Sequence, residues 1–185
     1  MSKPRVLVIP GSLRKGSHTA AVAQGLMHTA GDLAELHLLT LDAVPLYNAD
    51  LDGPNPPAGV AAFKKAIHDS DGMVLISPEY NYGMPGVVKN AIDWASRPGF
   101  DSVLKGKPVL IITSSPGLMG GVRAQAQLRQ TLMGTLSRVI SVPEIVITQV
   151  GNQIEEGRLT NATTLKFMMA GFHTLLAEIA YGRKA

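Results

Sequence analysis

Residues 11–19 gather the residue types that hold an anion: glycines, hydroxyls and a guanidinium. Glycines let the backbone come close to a phosphate, and serine and threonine hydroxyls can donate hydrogen bonds to it. The guanidinium of Arg14 can add a bidentate, charge-assisted contact. The candidate binding residues of this stretch are Gly11, Ser12, Arg14, Ser17, His18 and Thr19. The same pattern also fits a tight turn in which Ser17 caps the following helix, so both interpretations stay open.

Two further stretches contain residues that could contact a flat, polar ligand. Residues 78–85 hold Tyr80 and Tyr82 beside a glycine, and tyrosines can flank a planar ring by stacking or by edge contact. Residues 114–121 add serines and glycines with exposed backbone amides. Taken alone, these stretches also fit plainer structures: a turn whose tyrosines close the core, and a glycine-rich connector.

Alternating apolar strands and amphipathic helices must position these stretches. The predicted strands are residues 5–9, 35–41, 73–76 and 109–112, with a fifth in two pieces, 139–140 and 145–147, interrupted near Pro143. The predicted helices are residues 18–30, 60–68, 87–96, 122–137 and 161–181. This alternation indicates an α/β fold with an open parallel sheet and helices on both faces.

The three stretches follow the first, third and fourth predicted strands. In open parallel sheets, ligands bind beyond the carboxyl ends of the strands, where the strand order reverses. We therefore expect the three stretches to meet at one edge of the sheet and to form one site there.

Length and composition limit the classes of function. A chain of 185 residues with 45% hydrophobic and 17% charged residues suits one globular domain, residues 1–185. The sequence has no cysteine, which excludes disulfides, thiolate metal sites and cysteine nucleophiles, and we expect no metal site. The charge of +3 is scattered, so we expect no nucleic-acid partner. No apolar run approaches the roughly 20 residues of a membrane span, and no signal peptide is evident, so we expect a cytoplasmic protein without a membrane partner.

Several common phosphate-binding patterns are missing. The glycine spacing does not fit a dinucleotide-binding loop, and the second strand ends without an acidic residue. Lys15 is followed by Gly16, so the P-loop pattern fails, and the first strand ends without the acidic residues of a receiver domain. A low-molecular-weight phosphatase would need a cysteine. A monophosphate held by hydroxyls and amides, with a flat ligand reaching toward the other two stretches, remains.

Three motifs together resemble the NADPH-dependent FMN reductase family, and within it the bacterial quinone and chromate reductases. They are G-S-L-R-x-x-S after the first strand, P-E-Y-N-Y leading into P-G-V-x-K-N-A-I-D-W, and S-S-P-G-x-x-G-G. The resemblance covers about residues 6–144. It implies a flavodoxin-like three-layer sandwich with a five-stranded parallel sheet in the order 2-1-3-4-5. It also implies bound FMN, with NADPH or NADH as co-substrate.

The resemblance also assigns site residues and partners. It implies that the FMN phosphate is held by Ser12, Arg14, Ser17 and Thr19. It also implies that the isoalloxazine ring is lined by Pro78, Glu79, Tyr80 and Asn81, with Tyr82 nearby, and that Ser114, Ser115 and Gly117 close over the other end of the ring. A homodimer, with a homotetramer as the further option, is implied, and the helix around Asp93 and Trp94 is expected near the partner subunit. Three positions depart from the family pattern. Thr19 stands where members often carry Asn, which changes the chemistry of the expected phosphate contact. We expect Gly83 to leave its loop more mobile, and Ala126 lacks the aromatic residue that relatives often carry for a tetramer contact.

The function expected from these features is two-electron transfer from NAD(P)H, by way of FMN, to a small-molecule acceptor such as a quinone, chromate or an azo compound. The flavin carries the hydride chemistry, so we expect no catalytic side chain. Two alternatives remain: a flavodoxin-like electron carrier, and an FMN reductase that supplies reduced flavin to a partner. Electron carriers of the first kind are usually strongly acidic, whereas this chain is mildly basic.

Overall fold

The computed structural model describes residues 2–182, and its centre is a parallel β-sheet. The strands are β1 (Arg5–Pro10), β2 (Glu35–Leu38), β3 (Gly72–Pro78), β4 (Pro108–Ser114), β5 (Arg138–Val139) and β6 (Ile145–Ile147). Their order is β2-β1-β3-β4-β5, and β6 also pairs with β4. This confirms the predicted order, with the fifth strand divided into two short pieces that both extend β4.

Helices cover both faces of this sheet, as the sequence predicts. They are α1 (His18–Ala30), α2 (Ala58–Asp69), α3 (Gly86–Ala95), α4 (Val122–Gly134) and α5 (Ala162–Gly182). Side chains alternate along each strand, so Val8 and Val74 pack with α1 and α5, whereas Leu7 and Leu75 pack with α2, α3 and α4. The structure thus has the three layers of a flavodoxin-like fold, and no helix within residues 2–182 could cross a membrane.

Some boundaries differ from the prediction. Strand β2 ends at Leu38 rather than at Leu41, and a bend and turn follow at residues 41–43, where Thr40 donates a hydrogen bond to Asp42. Helix α4 ends at Gly134 rather than at Ser137, and Leu136 has a φ of 63°, which no helix continues. A small hairpin, β7 (Ile154–Glu155) with β8 (Arg158–Leu159), is not predicted from the sequence, because its strands are too short for an alternating pattern.

The long segment between β2 and α2 is fastened to α3. The carbonyl oxygen of Pro45 accepts hydrogen bonds from Trp94 Nε1 at 2.8 Å and from Asn90 Nδ2 at 2.9 Å. Asn90 Oδ1 accepts one from the Tyr47 amide at 2.7 Å, and the Tyr47 ring meets Trp94 edge-on. Trp94, expected near a partner subunit, is therefore fully buried within its own chain.

Candidate functional site

A cleft of about 190 Å³ lies at the carboxyl ends of β1, β3 and β4, where the sequence places the site. Its lining residues are Ser12, Arg14, Ser17, His18, Thr19, Pro78, Glu79, Tyr80, Ser114, Ser115 and Pro116. Ten of the predicted site residues are thus brought together by three loops. Larger clefts lie beside β2, at the opposite end of the sheet and beside the amino end of α1. The first two contain no residue of these loops, and the third contains residues of the first loop only. The convergence of the three loops, not volume, identifies this cleft.

The end of the cleft nearest α1 is built from buried hydroxyls. Ser17 caps α1, because its Oγ accepts a hydrogen bond from the Ala20 amide at 3.1 Å. The same Oγ lies 3.2 Å from Thr19 Oγ1, and both residues are almost fully buried while they line the cleft. The capping interpretation is therefore confirmed, and it is compatible with anion binding since hydroxyls and a helix amino terminus meet at the same place.

Arg14 adds positive charge at the mouth of this end. Its side chain is exposed, and within residues 2–182 it forms no ion pair with a carboxylate. Its only side-chain hydrogen bond there is a long one of 3.5 Å to the Lys15 carbonyl. The guanidinium therefore remains able to bind an anionic ligand.

Ser114 supplies an unused polar atom to the cleft. It is the last residue of β4, is 1% exposed, and its Oγ has no hydrogen-bond partner within the described part of the protein. A buried hydroxyl without a partner is costly, so its presence at a cleft indicates that a ligand completes its bonding. The hydroxyls, the guanidinium and this atom fit a phosphorylated ligand with a polar ring edge.

The loop after β3 forms a tight turn beside the cleft. Tyr80 and Gly83 exchange backbone hydrogen bonds of 2.9 and 3.1 Å, and the two residues between them, Asn81 and Tyr82, have φ values of 50° and 68°. Tyr80 lines the cleft, whereas the Tyr82 ring lies under Arg123, whose Cζ is 4.1 Å from the ring centroid. In this arrangement neither Asn81 nor Tyr82 is among the residues that line the cleft, and their place beside a flat ligand stays a prediction.

The Glu79 carboxylate is directed to helix α4. It accepts hydrogen bonds from the amides of Arg123 at 2.9 Å and Ala124 at 3.2 Å, and Arg123 Nη1 lies 3.0 Å away. Burial raises the pKa of this carboxyl, but the hydrogen bonds from Ala124 and Arg123 outweigh that effect, so its pKa is lowered overall. Glu79 is therefore ionised at neutral pH and does not serve as a proton donor.

Two predicted glycines have structural roles. A Cβ on Gly11 would lie 2.6 Å from Val88 Cγ2, so this glycine allows β1 to pack closely against α3. Gly117 lies in a loop fastened to the segment after β6, where its carbonyl accepts a hydrogen bond from the Gln149 amide at 3.0 Å. Neither residue is among those that line the cleft, and their contact with a ligand stays a prediction.

Sequence reasoning missed three residues that shape the site. Pro116 lines the cleft, and its place between Ser115 and Gly117 in the third motif was the available signal. Arg123 and Gln127 lie one helical turn apart on α4 and hold the loop after β3. Only their spacing on one helix face could have indicated this, because nothing local in the sequence shows which loop α4 contacts. Within residues 2–182 no three metal-ligating side chains lie together.

Comparison with known proteins agrees with this geometry. The profile of the family described as NADPH-dependent FMN reductase matches residues 4–153. A quinone reductase of Escherichia coli K12 is 43% identical over 171 residues, covering 87% of this chain and 90% of that protein. An NAD(P)H-dependent FMN reductase of Pseudomonas aeruginosa is 40% identical over 156 residues, covering 84% of each protein.

Among solved structures, the flavoenzyme NAD(P)H:(acceptor) oxidoreductase FerB from Paracoccus denitrificans superposes with a TM-score of 0.86. The two proteins are 36% identical, and the superposition covers 96% of this chain and 98% of that one. The shared fold extends over almost the whole of both chains, including the three strands whose loops form the cleft.

Proposed function

Because the chain belongs to the NADPH-dependent FMN reductase family, we propose that it is a flavoenzyme that transfers two electrons from NAD(P)H through bound FMN to quinones or similar acceptors. The observation that carries this proposal is the cleft itself. It joins paired hydroxyls to a guanidinium that has no carboxylate partner among residues 2–182 and to Ser114 Oγ, which has no hydrogen-bond partner in the same range, at the carboxyl edge of a flavodoxin-like sheet. The names of the relatives, a quinone reductase and an NAD(P)H-dependent FMN reductase, support the same activity.

The two ends of the cleft suit the two ends of FMN. Ser12, Arg14, Ser17 and Thr19 are the residues that would hold the phosphate, because they provide hydroxyl donors and a positive charge beside the amino end of α1. Pro78, Tyr80, Ser114 and Ser115, with the backbone of Glu79, would surround the isoalloxazine ring. His18 lies at the phosphate end and can add a further contact there.

When bound, FMN would supply the redox chemistry of a two-electron transfer from NAD(P)H to the acceptor. The residues of this chain bind the cofactor and orient it. Glu79 is ionised and bonded to α4, so it is not free to move a proton. Tyr80 is 53% exposed at the rim, which leaves the cleft accessible to two flat reactants in turn. Quinones fit this description, and chromate and azo compounds are further acceptors that need no dedicated pocket.

The spectrum of the purified protein tests the proposal. We expect a yellow protein whose visible flavin absorbance is bleached by anaerobic NADPH and restored by a quinone. Retained flavin with no NADPH consumption would instead favour an electron carrier. Flavin that is lost on gel filtration but reduced catalytically when added in excess would favour an FMN reductase that serves a partner.

We also propose that the protein forms a homodimer, as the sequence resemblance implies. Leu46 is 84% exposed, and its neighbours Pro45 and Tyr47 are hydrogen-bonded to Trp94 and Asn90 of α3. An exposed apolar side chain held in a fixed position is typical of a protein–protein contact. We expect light scattering to give a dimer mass for the wild type and a lower mass for Leu46→Asp at equal concentration. A monomeric wild type would contradict the proposal. The cytoplasmic location expected from the sequence stays a prediction.

A further inference from the structure

We propose that Glu79 is a positioning residue, whose carboxylate fastens the turn after β3 to helix α4 and thereby fixes the ring side of the cofactor cleft. The inference rests on the proposed function, since it concerns the same site. It differs from the sequence expectation, in which Glu79 lines the ring as a ligand, because all the side-chain bonds of Glu79 in the structure go to α4.

The first fastening point is the amino end of α4. Gly121 precedes this helix and has no side chain to cap it, so the amides of Arg123 and Ala124 need another acceptor. Glu79 provides it at 2.9 and 3.2 Å, and its side chain is only 12% exposed there. A carboxylate at a helix amino terminus is also favoured by the helix dipole, so this contact is a strong one.

The second fastening point lies one helical turn along α4. Gln127 Oε1 accepts a hydrogen bond from the Met84 amide at 2.6 Å. A Cβ on Gly83 would lie 2.5 Å from the same oxygen, so the glycine makes room for this bond. We expected Gly83 to make the loop more mobile, but its lack of a side chain allows the hydrogen bond between the loop and Gln127 of α4.

Between these two points, the turn has a backbone that needs support. Asn81 and Tyr82 are both left-handed, a conformation that residues with a Cβ adopt at a cost. The guanidinium of Arg123 lies over the Tyr82 ring while its Nη1 bonds Glu79, so one side chain connects the turn to the carboxylate. Loss of the Glu79 charge should therefore loosen both the amide contacts and the stacked tyrosine.

Pro78 and Tyr80 line the cleft and are the neighbours of Glu79 in the sequence. Their positions therefore depend on the bonds between Glu79 and α4. Glu79→Gln should weaken binding at the ring end and leave the phosphate end intact. FMN and riboflavin share the ring but only FMN has the phosphate, so the two ligands separate the ends of the cleft.

The test uses the full chain freed of flavin, with Glu79→Gln and Gln127→Leu compared against Glu178→Gln. Glu178 pairs with Arg138 far from the cleft, so its variant is a matched loss of a carboxylate charge. We expect Glu79→Gln to raise the dissociation constants of FMN and riboflavin by a similar factor, about 10- to 100-fold, as for a lost hydrogen bond to a charged group. The visible circular dichroism of bound FMN should change as well, which a loss of overall stability would not produce.

Amide hydrogen exchange in the flavin-free protein gives an independent measurement. Exchange at Arg123, Ala124 and Met84 should accelerate in Glu79→Gln. Gln127→Leu should reproduce the effect at Met84, and Glu178→Gln should keep wild-type exchange rates at all three amides. Unchanged exchange or unchanged affinity for both flavins in Glu79→Gln would overturn the inference alone. A wild type that binds neither flavin would overturn the proposed function, and the role of Glu79 at a cofactor site with it, whatever the exchange rates show.

Discussion

At the scale of single residues, the site is marked by hydroxyls whose bonding is incomplete. Ser114 and Thr113 are neighbours on β4, and both are almost fully buried. Ser114 Oγ and Thr113 Oγ1 have no hydrogen-bond partner within residues 2–182. Only Ser114 lines the cleft. Because adjacent residues of a strand point to opposite faces, Thr113 faces the α4 side and serves as an internal comparison.

The first prediction separates these two hydroxyls. Ser114→Ala should raise the free energy of unfolding of the flavin-free protein by about 1 kcal/mol, because it removes a buried group without a partner. It should nevertheless weaken FMN binding about 5- to 10-fold, the effect of one lost hydrogen bond. Thr113→Val should stabilise the protein equally and leave FMN affinity unchanged. Urea unfolding and FMN titration measure the two effects, and equal FMN affinity in both variants would contradict the role of Ser114.

The second prediction concerns Arg14. Arg14→Ala should weaken FMN about 10-fold or more, because a charge-assisted contact with the phosphate is lost, while riboflavin affinity stays the same. Lys15→Ala is the control, since Lys15 is adjacent, equally charged and does not line the cleft. FMN that survives dialysis of Arg14→Ala at full occupancy would show that Arg14 does not hold the phosphate.

At the scale of secondary structure, the strands and the loops that follow them could be predicted from the sequence. Continuous apolar runs such as residues 73–76 mark strands buried on both faces, and parallel topology then places their carboxyl ends together. This is why ten residues that line one cleft could be grouped together from the sequence. The resemblance supplied the strand order, which local patterns do not contain.

Contacts between distant elements could not be predicted in the same way. The bonds from Glu79 to α4 join residues 44 and 45 positions apart, and no periodicity encodes them. The Tyr82 ring packs against the guanidinium of Arg123, a contact that joins residues 41 positions apart. The direction of a side chain at a turn depends on the residue that tertiary packing brings next to it. The motif therefore located the loop but did not predict that Glu79 and Tyr82 contact α4.

The third prediction tests how the segment between β2 and α2 is held. Asn90→Leu should lower the free energy of unfolding by about 1–3 kcal/mol, because the Tyr47 amide loses its acceptor and Pro45 loses one of its two donors. Lys89→Ala, at an exposed position of the same helix, should change it by less than about 0.5 kcal/mol. Urea unfolding measures both, and equal midpoints would show that Trp94 alone is sufficient to hold the segment.

At the scale of the whole molecule, the cleft connects strands that form the middle of the sheet. Strands β1, β3 and β4 are neighbours, and each contributes one loop to the site. The loop after β4 is also bonded to the segment after β6, since the Ser115 amide donates to Ile147 at 3.0 Å and the Ser115 carbonyl accepts from Val150 at 3.1 Å. A ligand in the cleft therefore contacts loops that cannot open fully without disturbing the core.

The fourth prediction follows from this arrangement. A ligand that binds only the folded protein at 100 times its dissociation constant adds about 2.7 kcal/mol to stability, which for a chain of this size raises the melting temperature by about 5–11 °C. FMN should produce this shift, and the shift should grow with the logarithm of FMN concentration. Arg14→Ala should need proportionately more FMN for the same shift, whereas Lys15→Ala should follow the wild type. A melting temperature that is independent of FMN would mean that the cleft does not hold the cofactor, because binding to the folded state alone must stabilise it.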